Sequence, residues 1–314
     1  MHTQLKYTRL FIIVLGLIGL LVVGCGSNTD NSATPESTGA EDGYTISLLI
    51  PNDTNPFFVT LQEGAEEAAA RLNSEIVVRQ AGDDLTTQQG QINEMIDLEV
   101  DAMIIIPVDG SGVVSELEAA DAAGIAVFTV DRSADTAVVV AHIASDNEAG
   151  GRMAADYLAE TVNEKGNVVE LTGTAGTSAA RDRGLGFNEG LASYPDITIV
   201  AQETGDFGRD QGQAAFADIL ASEDDIVGVF AHNDEMILGA RLAAEEAGRA
   251  DEMVFVGFDA IDDAITALEN DQINATIAQQ PGEMGRLGVE TAVKHLNGEE
   301  VPDYIPVELA LITN

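Results

Sequence analysis

Polar and aromatic side chains follow seven apolar segments of this sequence, each at the point where a strand-like run ends. Carboxylate, amide and guanidinium groups present hydrogen-bond donors and acceptors in fixed planar geometry. A hydroxyl group both donates and accepts, so it can bridge an aspartate and an arginine, and aromatic rings pack against flat C–H faces. The candidate residues for such a site are Asn55, Phe57, Phe58, Asp131, Arg132, Arg183, Phe207, Asn233, Asp259 and Gln279.

The formal charges within this set cancel. Asp131 and Asp259 balance Arg132 and Arg183. Because binding sites match the charge of what they hold, a site with no net charge suits a neutral, polyhydroxylated ligand better than an amino acid or a phosphate.

Each candidate also has a plainer structural interpretation. An aspartate after a strand often only caps the next helix. Phe57 and Phe58 can both belong to a core, and Arg181 with Arg183 can form a solvated helix face. Because seven separate strand ends carry groups of related chemistry, the sequence favours a binding site over seven unrelated structural roles.

The motifs of common catalytic sites do not fit this sequence. The glycines between Gly184 and Gly190 have the wrong spacing for a dinucleotide-binding loop, and the loop Gly173–Gly176 lacks the lysine of a phosphate-binding loop. His142 and His232 lie in or beside apolar runs, where a core role is expected. We therefore predict no catalytic activity, no cofactor and no metal site.

Strand-like and helix-like segments alternate along the chain, and continuous apolar runs are typical of strands buried on both faces of a parallel sheet. The predicted strands are Thr45–Ile50, Glu75–Gln80, Ala102–Ile106, Ala126–Val130, Val138–His142, Asn167–Leu171, Thr198–Gln202, Ile226–Ala231, Met253–Gly257 and Ala275–Ala278. The predicted helices are Phe57–Leu72, Thr86–Leu98, Gly112–Ala123, Asn147–Val162, Ala179–Ala192, Arg209–Ala221, Glu235–Ala247, Asp262–Asn270 and Gly282–Leu296. This alternation indicates a doubly wound α/β fold.

One sheet of ten strands would be unusually large for this length, so two sheets are expected. In open α/β sheets, ligands bind at the carboxyl ends of the strands. If the two sheets face each other, the candidate residues meet across a cleft between them.

The first 43 residues are typical of an export signal followed by a tether. Lys6 and Arg9 precede an apolar run from Leu10 to Val23, which is shorter than the about 20 residues of a membrane-spanning helix. We predict a signal peptide over 1–24, lipidation of Cys25, which is the only cysteine, and a flexible lipidated tether over 25–43. A plain transmembrane anchor with a coincidental cysteine is the alternative.

The chain is strongly acidic, with 14 Lys and Arg against 54 Asp and Glu and a net charge of −40. Such a surface repels nucleic acid, so DNA or RNA binding is not expected. Three of the basic residues are lysines, Lys6, Lys165 and Lys294. The low lysine content fits either a saline habitat or ordinary acidity in an exported protein.

Several motifs, taken together and in this order, resemble the ribose-binding proteins of bacterial sugar ABC transporters, members of the type I periplasmic sugar-binding protein family. The resemblance covers the chain from Tyr44 to the C-terminus. The motifs are Asn55–Phe58, Asp131–Arg132, His142–Asn147, Gly176–Gly184, Asn233–Met236, Val256–Asp259 and Ala275–Gln279.

The resemblance implies two doubly wound parallel-sheet lobes, the type I periplasmic-binding-protein fold, joined by a three-stranded hinge. The chain would cross between lobes near Ser145–Asn147, Gln279–Gln280 and Val307–Leu309. The N-terminal lobe would comprise 44–145 plus 280–308, and the C-terminal lobe 146–279 plus 309–314.

The resemblance also implies residue roles. Phe57, Phe58 and Phe207 would form an aromatic sandwich, and the other seven candidates would contact the sugar. Arg181 would be a structural neighbour of Arg183. One departure from the family pattern is Ile106, where the family has an asparagine before the proline, and we expect Ile106 at the edge of the pocket.

The function implied by the resemblance is that of a sugar-binding protein, which we expect to be monomeric, extracytoplasmic and anchored as a lipoprotein through Cys25. It would capture a monosaccharide, D-ribose or a similar pentose, by hinge closure and deliver it to a permease with its ATPase subunit. The absence of tryptophan, which hexose binders often use for stacking, favours a pentose. A sensor that presents the closed form to a chemoreceptor or sensor kinase is the alternative. A repressor with similar sugar-sensing lobes would instead carry a DNA-binding helix-turn-helix at its N-terminus.

Overall fold

The computed structural model describes residues 43–314. The predicted signal peptide, Cys25 and all of the tether except Gly43 lie outside the described residues. In chain order the strands are β1 (Thr45–Ile50), β2 (Glu75–Gln80), β3 (Ala102–Ile105), β4 (Ala126–Val130), β5 (Val139–Ser145), β6 (Lys165–Thr172), β7 (Asp196–Thr204), β8 (Ile226–Ala231), β9 (Val254–Asp259), β10 (Ala275–Ala278), β11 (Tyr304–Val307) and β12 (Ala310–Thr313).

Nine α-helices connect the strands of this described part. They are α1 (Pro56–Arg71), α2 (Leu85–Asp97), α3 (Val114–Ala122), α4 (Asn147–Thr161), α5 (Ser178–Leu191), α6 (Arg209–Leu220), α7 (Asp234–Glu246), α8 (Asp262–Glu269) and α9 (Pro281–Leu296). A 3₁₀ turn at Ala250–Glu252 precedes β9.

The strands form two six-stranded sheets, which confirms the predicted pair of α/β lobes. The sheet of the first lobe has the order β11-β5-β4-β3-β1-β2, and that of the second lobe has the order β12-β10-β9-β8-β6-β7. All pairings are parallel except that of β10 with β12. The carboxyl ends of the parallel strands therefore gather at one edge of each sheet.

Helices cover both faces of each sheet because successive side chains of a strand point to opposite faces. In β1, Leu48 packs into the cluster shared with α1 and α9, whereas Leu49 packs into the cluster shared with α2 and α3. Both side chains are fully buried. This two-sided burial explains the continuous apolar runs in the sequence.

Two strands were not predicted. β11 and β12 have four residues each, and β11 contains Pro306, which is tolerated there because β11 lies at the edge of its sheet. β5 also runs three residues beyond the prediction, to Ser145, because its last residues pair with Ile305 to Val307 of β11. Pairing between residues as far apart in the chain as Ser145 and Val307 leaves no local pattern in the sequence.

The chain passes from one sheet to the other three times. β5 of the first sheet leads into α4, β10 of the second sheet leads into α9 beside α1, and β11 and β12 lie in different sheets. The predicted lobe boundaries stay a prediction, which this strand membership supports. Among residues 43–314, no helix is both long and apolar enough to span a membrane.

Candidate ligand-binding site

The ten candidate residues line one cavity between the two lobes, and one further residue, Ala179, joins them. Asn55, Phe57, Phe58, Asp131 and Arg132 belong to the first lobe; Arg183, Phe207, Asn233, Asp259 and Gln279 belong to the second. All except the partly buried Phe207 are at most 9% exposed. A solute can therefore reach these side chains only when the lobes separate.

The start of α1 supplies the first wall of the cavity. Asn55 caps this helix, since its Oδ1 accepts a hydrogen bond from the Phe57 N–H at 2.9 Å, and Pro56 is the first helical residue. Phe57 and Phe58 meet edge to face with ring centroids 5.4 Å apart. The cap and core interpretations are thus true of these residues, which also line the cavity.

Asp131 and Arg132 follow β4 and extend the same wall. Asp131 has a φ of 63°, a conformation uncommon for a residue other than glycine, asparagine or aspartate. Its Oδ2 lies 3.7 Å from Arg132 Nε. Burial raises the pKa of Asp131, while the charges of Arg132 and Arg183 oppose this rise.

The Arg132 guanidinium lies between two aromatic rings of different lobes. Its Cζ is 5.3 Å from the Phe58 ring centroid and 5.1 Å from that of Phe207. Cation–π contacts of this length are favourable, more so when the cation is desolvated. The two rings therefore hold the arginine as well as bordering the space for a ligand.

Arg183 of the second lobe is held by several buried contacts. Its Nε donates to Asn147 Oδ1 at 2.8 Å, and its Nη1 donates to the His232 carbonyl at 2.6 Å. Its Cζ lies 3.8 Å from the Phe258 ring centroid, and Nη1 is 3.5 Å from Asp259 Oδ1. Arg181, by contrast, is 62% exposed at its side chain, pairs with Asp182 and does not line the cavity.

Asn233 and Gln279 follow β8 and β10, and Asp259 is the last residue of β9, which lies between them in the sheet. Asn233 caps α7 through Oδ1 and donates from Nδ2 to the Phe207 carbonyl at 3.1 Å. Gln279 Nε2 donates to Asp259 Oδ1 at 2.8 Å. These bonds fix the orientation of three polar groups at the carboxyl edge of the second sheet.

Two polar atoms of the site are buried without a hydrogen-bond partner in the protein, Arg132 Nε and Gln279 Oε1. One is a donor and the other an acceptor. A buried polar group without a partner costs about 1–3 kcal/mol. A hydroxylated ligand can satisfy both atoms, because each hydroxyl donates and accepts.

Several supporting residues were not predicted from the sequence. Buried Glu170 contacts His232 Nε2 through Oε1 at 2.8 Å, and His232 Nδ1 accepts from the Gly173 N–H. Burial lowers the pKa of His232. The His232 carbonyl accepts from Arg183 Nη1, and Glu170 contacts the ring of the same histidine. Asn147 supports Arg183 in a similar way by accepting from its Nε. Only the position of His232 next to a strand-end candidate could have suggested such a role.

The expectation for Ile106 is wrong. Its side chain is fully buried in the hydrophobic core of the first lobe and does not line the cavity. The next residue, Pro107, lies closer to the site, since its carbonyl is 3.4 Å from Arg132 Nη1. Ile106 therefore does not bear directly on which ligand fits.

Direct contacts between the lobes hold the cleft closed. The Gly110 N–H donates to the Gly176 carbonyl at 3.0 Å, and the Ser133 N–H donates to Ser178 Oγ at 2.9 Å. Gly110 and Ser133 follow strands of the first sheet, whereas Gly176 and Ser178 follow β6 of the second. These two bonds must break when the cleft opens.

The stability of the protein should depend on the ionisation of Asp259. Burial raises the pKa of Asp259 to about 7, against the lowering effects of Arg183 and of the Gln279 hydrogen bond. Since this value exceeds the usual 3.8, the folded protein binds the proton more tightly than the unfolded chain. The resulting stability is complete below about pH 4 and is lost as the pH rises to about 7.

As the pH rises from 5 to 8, the free energy of unfolding of the wild type should therefore fall by about 1–2 kcal/mol relative to that of Asp259→Asn. Thermal melting of the ligand-free proteins at four pH values measures this difference. Asp262→Asn removes an equal formal charge from an exposed position and serves as the control. Parallel pH profiles for the wild type and Asp259→Asn would contradict the assignment.

Among the described residues, no group of three or more His, Cys, Asp or Glu side chains is arranged to hold a metal ion. The residues that line the cavity present hydrogen-bonding side chains, paired charges and aromatic faces. Groups of this kind can bind polar, uncharged solutes.

Comparison with known proteins places these features in context. The chain matches the family model of the periplasmic binding protein domain over residues 46–300. The chain is 35% identical over 301 residues to the ribose import binding protein RbsB of Bacillus subtilis (strain 168), covering 96% of this chain and 97% of that protein. It is 40% identical over 268 residues to RbsB of Escherichia coli (strain K12), covering 85% and 90%.

A solved structure is similar over the same extent. It is an ABC transporter periplasmic solute binding protein from Actinobacillus succinogenes 130z with bound D-allose, which matches with a TM-score of 0.81 and 31% sequence identity. The match covers 86% of this chain and 97% of that chain.

Proposed function

This chain belongs to the periplasmic binding protein family, and we propose that it captures D-ribose or a similar pentose between its two lobes. It is a solute-binding component of sugar ABC importers and not an enzyme. Relatives named for ribose import support this choice, as does the absence of tryptophan in the chain. The D-allose bound to the similar structure makes a hexose the main competitor.

The observation that carries the proposal is the balanced, buried set of groups from both lobes. Asp131 and Asp259 face Arg132 and Arg183, and all four are at most 6% exposed. Hydrogen bonds between such ionised groups and hydroxyls contribute about 1.5–3 kcal/mol each. A charged ligand would leave one of the four charges uncompensated in a desolvated space.

We propose hinge closure as the mechanism. The sugar bridges groups of both lobes, so it has more contacts in the closed form and shifts the equilibrium towards it. The three crossings between sheets, at 145–147, 278–281 and 307–310, are where the backbone would bend. The closed form would then deliver the sugar to the permease and its ATPase subunit.

Isothermal titration calorimetry with a panel of sugars tests the ligand. We expect one-to-one binding of D-ribose, weaker binding of other pentoses and of D-allose, and no heat with amino acids. Titrations at low and high salt should give similar affinities, because a neutral ligand releases no counterions. Amino acid binding without sugar binding would refute the proposed function, and tighter binding of D-allose would refute the pentose.

We further propose that the protein acts as an extracytoplasmic monomer anchored through lipidated Cys25. The support is the short apolar run before the only cysteine of the chain. Incorporation of labelled palmitate by the wild type, and its loss in Cys25→Ala, is the measurement that decides. The alternative role as a sensor has less support, because the relatives with high identity are named as import proteins.

A further inference from the structure

We propose that Asp234, which does not line the cavity, is a positioning residue of the sugar site that holds the turn Asp259–Ile261 so that the Asp259 carboxylate faces the cleft. The inference rests on the proposed function, because it concerns how that site is kept in shape. Asp234 is the first residue of α7 and is fully buried.

The turn that carries Asp259 has an unfavourable backbone conformation. Asp259 has a φ of 115° and Ala260 a φ of 61°, so two consecutive residues other than glycine lie in the left-handed half of conformational space. Such residues persist only where the surroundings enforce them. Ile261, the N-cap residue of α8, has no side-chain oxygen that could accept a hydrogen bond in this turn. The hydrogen bonds that hold the turn come from other elements.

Asp234 supplies these contacts. Its Oδ2 accepts the Ile261 N–H at 2.9 Å, and its Oδ1 accepts the Thr276 hydroxyl at 2.7 Å. Thr276 Oγ1 in turn accepts the Ala260 N–H at 3.3 Å. The two backbone N–H groups that follow Asp259 are thus tied to Asp234, one directly and one through the fully buried Thr276.

The strand beside Asp234 leaves room for its carboxyl group. In β9, a Cβ atom on Gly257 would overlap Asp234 Oδ1. Gly257 lies two residues before Asp259, so the backbone of β9 passes close to the carboxyl group just before the strained turn begins. Gly257 leaves space for a carboxyl group at position 234, and Thr276 and the turn Asp259–Ile261 form hydrogen bonds with it.

A buried carboxyl group at this place has an electrostatic cost. Burial, together with the negative charge of Asp259, raises the pKa of Asp234 well above its usual value, while its hydrogen bonds with Thr276 and Ile261 lower it. No basic side chain is among the hydrogen-bond partners of Asp234 in the described residues. The role therefore depends on hydrogen bonds and not on an ion pair, and an amide can replace the carboxyl group. The amide oxygen can accept the Ile261 N–H while the amide nitrogen donates to Thr276 Oγ1, so both ties to the turn persist although the Thr276 hydroxyl hydrogen loses its acceptor at position 234.

The test compares three substitutions with a control. Asp234→Ala should weaken binding of the sugar identified by calorimetry at least tenfold, whereas Asp234→Asn should stay within about threefold of the wild type. Thr276→Val, which removes the bridging hydroxyl, should also weaken binding and covers the case in which Asp234→Ala does not fold. Asp262→Ala removes an exposed carboxylate near the same turn and should leave affinity unchanged.

Amide hydrogen exchange of the ligand-free proteins separates this inference from the proposed function. Asp234→Ala should accelerate exchange at Ala260 and Ile261, and Asp234→Asn should not. A wild type that binds no sugar would refute the proposed function, yet the exchange rates would still report on the turn. Unchanged exchange at both amides in Asp234→Ala, wild-type affinity in that variant, or equal losses in Asp234→Ala and Asp234→Asn would overturn the positioning role.

Discussion

Replacing Arg183 with alanine is expected to weaken sugar binding by at least ~100-fold. The guanidinium group is 3% exposed and is the main positive charge facing Asp259. Each hydrogen bond from a charged group to the sugar is expected to contribute ~1.5–3 kcal/mol, and the substitution also leaves the Asp259 carboxylate buried without its partner. Since each ~1.4 kcal/mol corresponds to a factor of ten in affinity, a loss of two orders of magnitude or more follows.

Arg181→Ala is the matched control for this substitution. The two arginines lie on the same helix two residues apart, but the Arg181 side chain is 62% exposed and, among residues 43–314, forms an ion pair with Asp182 alone. Calorimetry should find wild-type affinity for Arg181→Ala. Similar losses in both variants would show that the effect arises from α5 as a whole and not from the site.

Arg183→Lys distinguishes the charge from its geometry. A lysine keeps the positive charge but cannot donate to both Asn147 and the His232 carbonyl from a planar fork. We expect an affinity between those of the wild type and Arg183→Ala. Melting curves of all three variants establish that the folded state survives, and a folded Arg183→Ala protein with unchanged affinity would exclude Arg183 from the site.

Gly176→Ala should weaken sugar binding at least ~10-fold by hindering closure. Gly176 has a φ of 88°, and a Cβ atom there would overlap Asp109 Oδ2 across the cleft. Asp109 cannot easily move away, because its Oδ1 accepts hydrogen bonds from the backbone of Ser111 and Gly112. The overlap exists only in the closed form, since the two residues lie in different lobes. The substitution therefore shifts the equilibrium towards the open form.

Gly124→Ala provides a control at a glycine with the same φ. Gly124 also has a φ of 88°, but a Cβ atom there would meet no other atom within 4 Å. Both variants place an alanine at a positive φ, which costs about 1–2 kcal/mol in stability. Only Gly176→Ala should lose affinity in calorimetry. Equal affinities for the two variants would show that the 109–176 contact does not limit closure.

The secondary structure was largely predictable because it depends on local pattern. Alternating apolar strands and amphipathic helices indicated the doubly wound fold, and the caps at Asn55 and Asn233 are typical helix starts. β11 and β12 were missed because four-residue edge strands depend on pairing with distant partners. The extension of β5 to Ser145 has the same cause.

The candidate site was partly predictable for a related reason. In parallel sheets, residues that follow strands gather at one edge, so the chain position of Asp131, Asp259 or Gln279 already indicated a common location. The expectation for Ile106 failed because strand-end position does not fix the direction of a side chain. Ile106 continues the alternation of β3 and points into the core.

The polar side chains at seven strand ends, with two aspartates and two arginines among them, were determined by the sequence alone. Their chemistry already favoured a neutral, polyhydroxylated ligand. Only the tertiary structure decided which groups support them. Asn147 accepts from Arg183, Glu170 contacts His232, and Asp234 accepts from the turn that follows Asp259. These contacts join residues that are 27 to 62 positions apart in the chain. Hydrogen bonds of that range depend on how the strands are ordered in the sheet, which no local pattern of residues encodes.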